Sequence, residues 1–214
     1  MPADESIPRS QAIAALGLLA APYLLNDFAN IYVHAPVPWL ACDYGSRVFS
    51  LVSIAWLLRR GMIRWPDLHL RGVAWWRLAV GTFAATLVGL LLTSDEARDA
   101  FARLTSRQFG FIPEIGPDWL HRVDYWGGIA LVAVSEELVF RGAFPRIILR
   151  CGGSSGVALF VSTVMFGLAH WSLGLGSIVQ TALIGLWFGI TAQSSRSLWP
   201  VIIAHYVVDL VAFR

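Results

Sequence analysis

Lysine is absent from the 214-residue chain, and charge of either sign is scarce. All 16 basic residues are arginine; set against 14 Asp and Glu they leave a formal net charge of +2. Charged residues make up 14% of the chain, against roughly 25% in an average globular protein. That is too little to cover the surface of a water-soluble fold. The near-neutral balance, with no basic tract, excludes nucleic acid as a partner. Only two cysteines are present, Cys42 and Cys151, which excludes a disulfide scaffold. Internal repeats and low-complexity segments are missing, and so is the HExxH pattern of a helical zinc site.

What fills the chain instead is apolar. Hydrophobic residues account for 57% and the mean hydropathy is +0.63. Apolar stretches run over about 11–33, 39–58, 75–93, 125–149, 157–171, 178–192 and 198–213. The expected fold is therefore all-α: a polytopic membrane helix bundle of about seven spans, within a range of about six to eight, given the ~20 residues a hydrocarbon core requires. The whole chain, 1–214, reads as a single transmembrane domain. The first stretch has one nearby positive charge, Arg9, and no convincing small-residue cleavage site, so a retained helix is expected rather than a signal peptide. Residues 94–122 differ: five acids, four arginines, Pro113 and Pro117 mark an extramembrane loop, with a short amphipathic helix around 95–106.

Arginine sets the expected orientation. Arg59, Arg60, Arg64 and Arg71 follow the second span, Arg146 and Arg150 the fourth, and Arg196 the sixth. Seven spans place these on one side, which the positive-inside rule makes cytoplasmic. The amino terminus is then inside and the carboxyl terminus outside. Trp39, Trp65, Trp75, Trp76, Trp119, Trp126, Trp171 and Trp199 lie near span ends, where indole rings favour the interface. Gly185 and Gly189 form a small-xxx-small pair that allows close helix contact.

Ionisable groups inside spans are costly and mark function. The fourth span carries Glu136, Glu137 and Arg141; the fifth carries Phe166 and His170; the seventh carries His205 and Asp209. Glu137 and Arg141 are spaced i,i+4 and share a helix face, as do His205 and Asp209. Glu136 points about 100° away from Glu137, toward another neighbour. Counted along their spans, Glu136, His170, His205 and Asp209 can meet at mid-membrane depth or toward the outer leaflet. Asn26, Asp27, Asn30 and His34 stripe the first span, and Asp43 opens the second; these either line the same cavity or bond helices together. Ser135 reads as a packing hydroxyl, and His69 and His121 as solvated loop residues.

Glu-Glu-x-x-x-Arg (136–141), then Phe-x-x-x-His (166–170), then His-x-x-x-Asp (205–209) resembles the CPBP family. These are the CAAX protease and bacteriocin-processing (Abi) proteins, the glutamic intramembrane endopeptidases. Phe140 and Gly142 extend the match to E-E-x-x-F-R-G, and the resemblance covers about 125–213. The last motif ends in Asp209 where the type II CAAX prenyl proteases have Asn. The resemblance implies cleavage of a peptide bond in a membrane-associated protein or peptide, of CAAX type or a C-terminal sorting or maturation substrate. A water activated by Glu136 and His170 would attack, with His205 and Asp209 on the oxyanion side. Glu137, Arg141 and Phe166 would support helix or substrate, with no metal and no cofactor. A multi-pass protein of a bacterial cytoplasmic membrane is the expected setting, in contact with lipid; oligomeric state is open. Two other readings stay in view: a zinc-dependent membrane hydrolase, and a non-catalytic scaffold, immunity protein or transporter.

Overall fold

The structure, a computed structural model, describes residues 6–104, 108–116 and 118–214. Among them there is no strand; the fold is all-helical. Helices α1 (Arg9–Tyr32) and α2 (Pro36–Arg59) form an antiparallel hairpin. Pro36 sits at the start of α2, where its missing N–H is not needed. A 3₁₀ turn, Trp65–Leu68, leads to α3 (Trp75–Leu92) and the short α4 (Asp95–Ala102). Ser94 caps α4 by accepting from the Ala97 N–H at 3.3 Å, and Asp95 and Glu96 complement its N-terminal dipole. The expected helix around 95–106 thus ends at Ala102; Ser106 lies outside the described residues.

A continuous helix, α5, runs over 118–150. It is widened twice into π geometry, at Asp124–Gly128 and Leu138–Ala143. Then come α6 (Ser155–Leu168), α7 (Leu175–Ser195) and α8 (Trp199–Ala212). Each apolar stretch of the sequence is thus a helix, with one adjustment. The fifth was expected to continue to residue 171, but α6 ends at Leu168, and His170 lies in the turn beyond it. Helices α1, α3 and α7 are long and apolar enough to cross a membrane; α6 and α8 are shorter apolar helices.

Two cores organise the bundle. One joins α1, α2, the second half of α5 and α6 around Leu19, Leu57, Phe140 and Ile147. The other joins α3, α7 and α8 around Ala85, Phe188 and Val201. Between helices in lipid, close packing rather than water exclusion supplies the attraction, so small residues matter at the contacts. Gly89 of α3 lies against Val208, and Gly189 of α7 against Leu159 of α6. Outward faces are apolar, as at Ile13, Phe83 and Phe160. Trp65, Trp75, Trp76, Trp119, Trp126 and Trp199 are exposed as expected of anchors. Trp39 departs from that role: it is buried, and its indole N–H donates to Asn30 Oδ1 at 2.8 Å. Cys42 and Cys151 are both free thiols.

Candidate active site

Helix α5 places three of the ionisable residues. Glu137 is the last residue before the π segment and is fully buried. Its Oε1 accepts from Arg141 Nη1 at 3.1 Å, the contact that i,i+4 spacing favours. The same oxygen lies 2.7 Å from His205 Nδ1 of α8. Because a carboxylate only accepts, that ring nitrogen donates. The other ring nitrogen, Nε2, faces Asp209 Oδ2 at 3.4 Å and Glu136 Oε2 at 3.8 Å. With carboxylate oxygens on both sides, His205 is set to donate in both directions, which suits the imidazolium form. Phe166 and Phe188 wall the ring, with centroids 6.2 and 5.7 Å away.

Glu136 turns the other way, toward α2. Its Oε1 is 3.4 Å from Arg47 Nη2, and Arg47 Nη1 is 2.6 Å from Asp43 Oδ1. Asn26 of α1 donates to the same Asp43 oxygen at 2.9 Å. Sequence reasoning missed Arg47. The available signal was an Asp43–Arg47 i,i+4 pair inside an otherwise apolar helix, the same pattern that drew notice at Glu137–Arg141. Arg47 is buried, so its charge is tolerated only beside the two acids.

His170 reaches the site from the turn after α6. Its Nδ1 lies 3.0 Å from the Phe166 carbonyl oxygen, so Nδ1 donates and Nε2 is left to accept in the neutral ring. The turn is tied to α1: the Ser172 N–H donates to Asp27 Oδ2 at 2.7 Å, and Asn30 donates to Ser172 Oγ at 2.9 Å. Phe166 packs edge-on to His170 at 5.3 Å, and the Arg141 guanidinium stacks over the Phe166 ring at 4.0 Å. Gly185 of α7 makes room for this stack, since a Cβ there would lie 2.7 Å from the Phe166 ring.

Glu136, His170, His205 and Asp209 all border one cavity of about 910 Å³. Glu137 and Arg141 stand behind it and do not line it. The stripe of Asn26, Asp27 and Asn30, with Asp43, does both things the sequence allowed: it lines the cavity and bonds helices together. The cavity reaches the segment after α3, where Arg98, Phe101, Ile112 and Glu114 form its rim. His34 is set apart, stacked on Phe111 at 5.1 Å. Ser135 donates within its own helix, to the Val132 carbonyl at 3.1 Å. Among the described residues, no three His, Cys, Asp or Glu side chains are placed to hold a metal ion together.

The cavity thus brings a carboxylate, an imidazole with an accepting nitrogen and the donating His205 ring to one wall. Residues 119–211 match the model of the family described as type II CAAX prenyl endopeptidase Rce1-like. The match contains all three motifs, and with them Glu136, Phe166, His170, His205 and Asp209 of the cavity wall. No curated protein and no solved structure matches the chain.

Proposed function

We propose, on the match of residues 119–211 to the Rce1-like family model, that the chain is an intramembrane endopeptidase of the glutamic type. It hydrolyses a peptide bond in a membrane-associated protein or peptide. The observation that carries this reading is the meeting of Glu136, His170, His205 and Asp209, from separate parts of the chain, on one cavity.

In this mechanism Glu136 takes a proton from water, and the accepting Nε2 of His170 holds that water by its other proton. The water oxygen attacks the scissile carbonyl carbon. Negative charge then collects on the carbonyl oxygen, beside the His205 Nε2–H. Asp209 keeps that donor oriented, and Arg47 fixes the Glu136 carboxylate. The proton on Glu136 passes to the leaving amine as the C–N bond breaks. Glu137 holds His205 and Arg141 and takes no proton in the reaction. The bilayer setting adds α2, α5, α6 and α8 to the three long spans, giving about seven crossings with the amino terminus on the cytoplasmic side.

The test pairs two variants in detergent or nanodiscs, using a fluorogenic peptide that ends in a prenylated CAAX box. Glu136→Gln is expected to fold and to lose about 10²–10⁴ in turnover, the contribution of a positioned base. Glu137→Gln is expected to lower the melting temperature as well, because it strips the counter-charge from buried Arg141 at a cost of about 3–5 kcal/mol. A fully active Glu136→Gln protein removes Glu136 from the mechanism.

A further inference from the structure

A substrate drawn to membrane depth carries its main chain out of water, and each N–H it brings needs an acceptor there. On the α1 side of the cavity the polar side chains are already spent on the protein itself. Asp27 accepts from Ser172 and Asn30, Asn30 Oδ1 accepts from Trp39, and Asp43 holds Asn26 and Arg47. The wall made by α7 differs. Its first half lines the cavity with Ser177, Gln180, Thr181 and Ile184. The Thr181 hydroxyl turns back on its own helix and donates to the Ser177 carbonyl oxygen at 2.7 Å.

Gln180 instead reaches across to α3. Leu92 is the last residue of that helix, so its carbonyl oxygen has no partner within it. Gln180 supplies one: its Nε2 donates to that oxygen at 2.6 Å. In a side-chain amide only the nitrogen can donate, so this bond fixes which end of the amide is which. Oε1 is the end left over. It has no hydrogen-bond partner among the described residues, and it is not sealed inside the protein. Gln180 itself is half-buried on the cavity wall.

Its place on α7 sets where it meets a peptide. Phe188, eight residues further along, lies 5.7 Å from the His205 ring. At ~1.5 Å per residue, Gln180 stands about 12 Å from that level. It stands on the mouth side, because α7 begins against the rim: a Cβ on Gly176 would lie 2.5 Å from the Phe101 carbonyl oxygen. An extended peptide advances ~3.3 Å per residue, so about three or four residues cover the distance. Ile184 and Val208 give the strip between an apolar lining.

We propose that Gln180 anchors the substrate main chain: its Oε1 accepts a backbone N–H about three or four residues from the scissile bond. A main-chain anchor holds an extended strand in register without selecting its side chains. The proposal rests on the peptidase reading and deepens it.

The fluorogenic prenylated peptide is made as a series. In each member one backbone N–H within about four residues of the scissile bond, other than that of the bond itself, is replaced by an ester oxygen. Parent and Gln180→Met are compared by kcat/KM. In the parent, one ester position is expected to lower kcat/KM about 3–10-fold, the worth of one neutral hydrogen bond. Gln180→Met lowers kcat/KM for the all-amide peptide by a similar factor and shows no further loss with that ester. Gln193→Met, on the same helix but beside a separate, smaller cavity of about 290 Å³ at the other end of the bundle, keeps the parental ester penalty. Melting temperature verifies that Gln180→Met is folded. If it is not, Gln180→Glu is used; a carboxylate accepts more strongly than an amide, so the penalty at the same position must grow. An equal ester penalty in parent and Gln180→Met overturns the proposal, and so does an unchanged penalty in Gln180→Glu. Turnover by the parent with no ester-sensitive position sinks the anchor alone. No turnover of the all-amide peptide by the parent sinks the peptidase reading and the anchor with it.

Discussion

At the scale of single residues, the candidate site is a chain of paired charges that passes from α2 to α5 through Arg47–Glu136 and from α5 to α8 through Glu137–His205. Arg47 is the clearest case, because it has two acids, Asp43 at 2.6 Å and Glu136 at 3.4 Å. Arg47→Ala leaves two buried carboxylates close together with no cation. The expected result is a loss of about 3–5 kcal/mol in stability together with loss of turnover. The double variant Arg47→Gln, Asp43→Asn removes charges of both signs and should recover most of the melting temperature. The recovery, measured as a double-mutant cycle, reports the coupling of the pair. If the single and double variants melt alike, Asp43 is not the partner that makes Arg47 tolerable. The sequence made Glu137–Arg141 legible because both ends of that pair fell inside a recognisable motif. Arg47 escaped notice because its second partner is 89 positions away in sequence.

At the scale of elements, two contacts set the position of the site. The first is α6 against α7, where Gly185 and Gly189 let the helices approach. In lipid this closeness is the attraction itself, so bulk at either glycine separates the helices. Gly189→Leu is expected to cost about 1–3 kcal/mol by overpacking against Leu159. Gly185→Leu should cost a similar amount and also displace Phe166, lowering turnover more than its stability loss explains. Gly17→Ala, on an open face of α1, serves as the control and should melt at or slightly above the parent. Thermal melts with turnover of the three variants check this; a Gly185→Leu protein with parental turnover separates the Phe166 stack from activity. The second contact is the turn after α6. An apolar pattern cannot show where a helix stops when the residues beyond it are also apolar. The end at Leu168 is decided by Asp27 and Asn30 of α1, which capture Ser172.

At the scale of the whole molecule, the two cavities open at opposite ends. The larger reaches the segment after α3, and the smaller reaches the arginine-rich connections. The positive-inside orientation proposed above puts the mouth of the larger cavity outside and the arginine-rich connections in the cytoplasm. In a background with Cys42 and Cys151 replaced by Ser, Ile112→Cys should react with a membrane-impermeant maleimide in intact cells. Arg60→Cys should react only after permeabilisation. The reverse pattern inverts the orientation and moves the larger cavity to the cytoplasmic side. The sequence by itself determined the helical class, the approximate position of the apolar helices and the charged residues of the three motifs, but not Arg47. It could do so because helix formation in lipid depends on local composition and because each motif is local. Only the tertiary structure decided which oxygen His205 faces, that Arg47 holds Glu136, and that Arg141 stacks on Phe166 behind the cavity. Those outcomes depend on distances between helices far apart in the chain, and a pattern of residues along a single helix does not contain them.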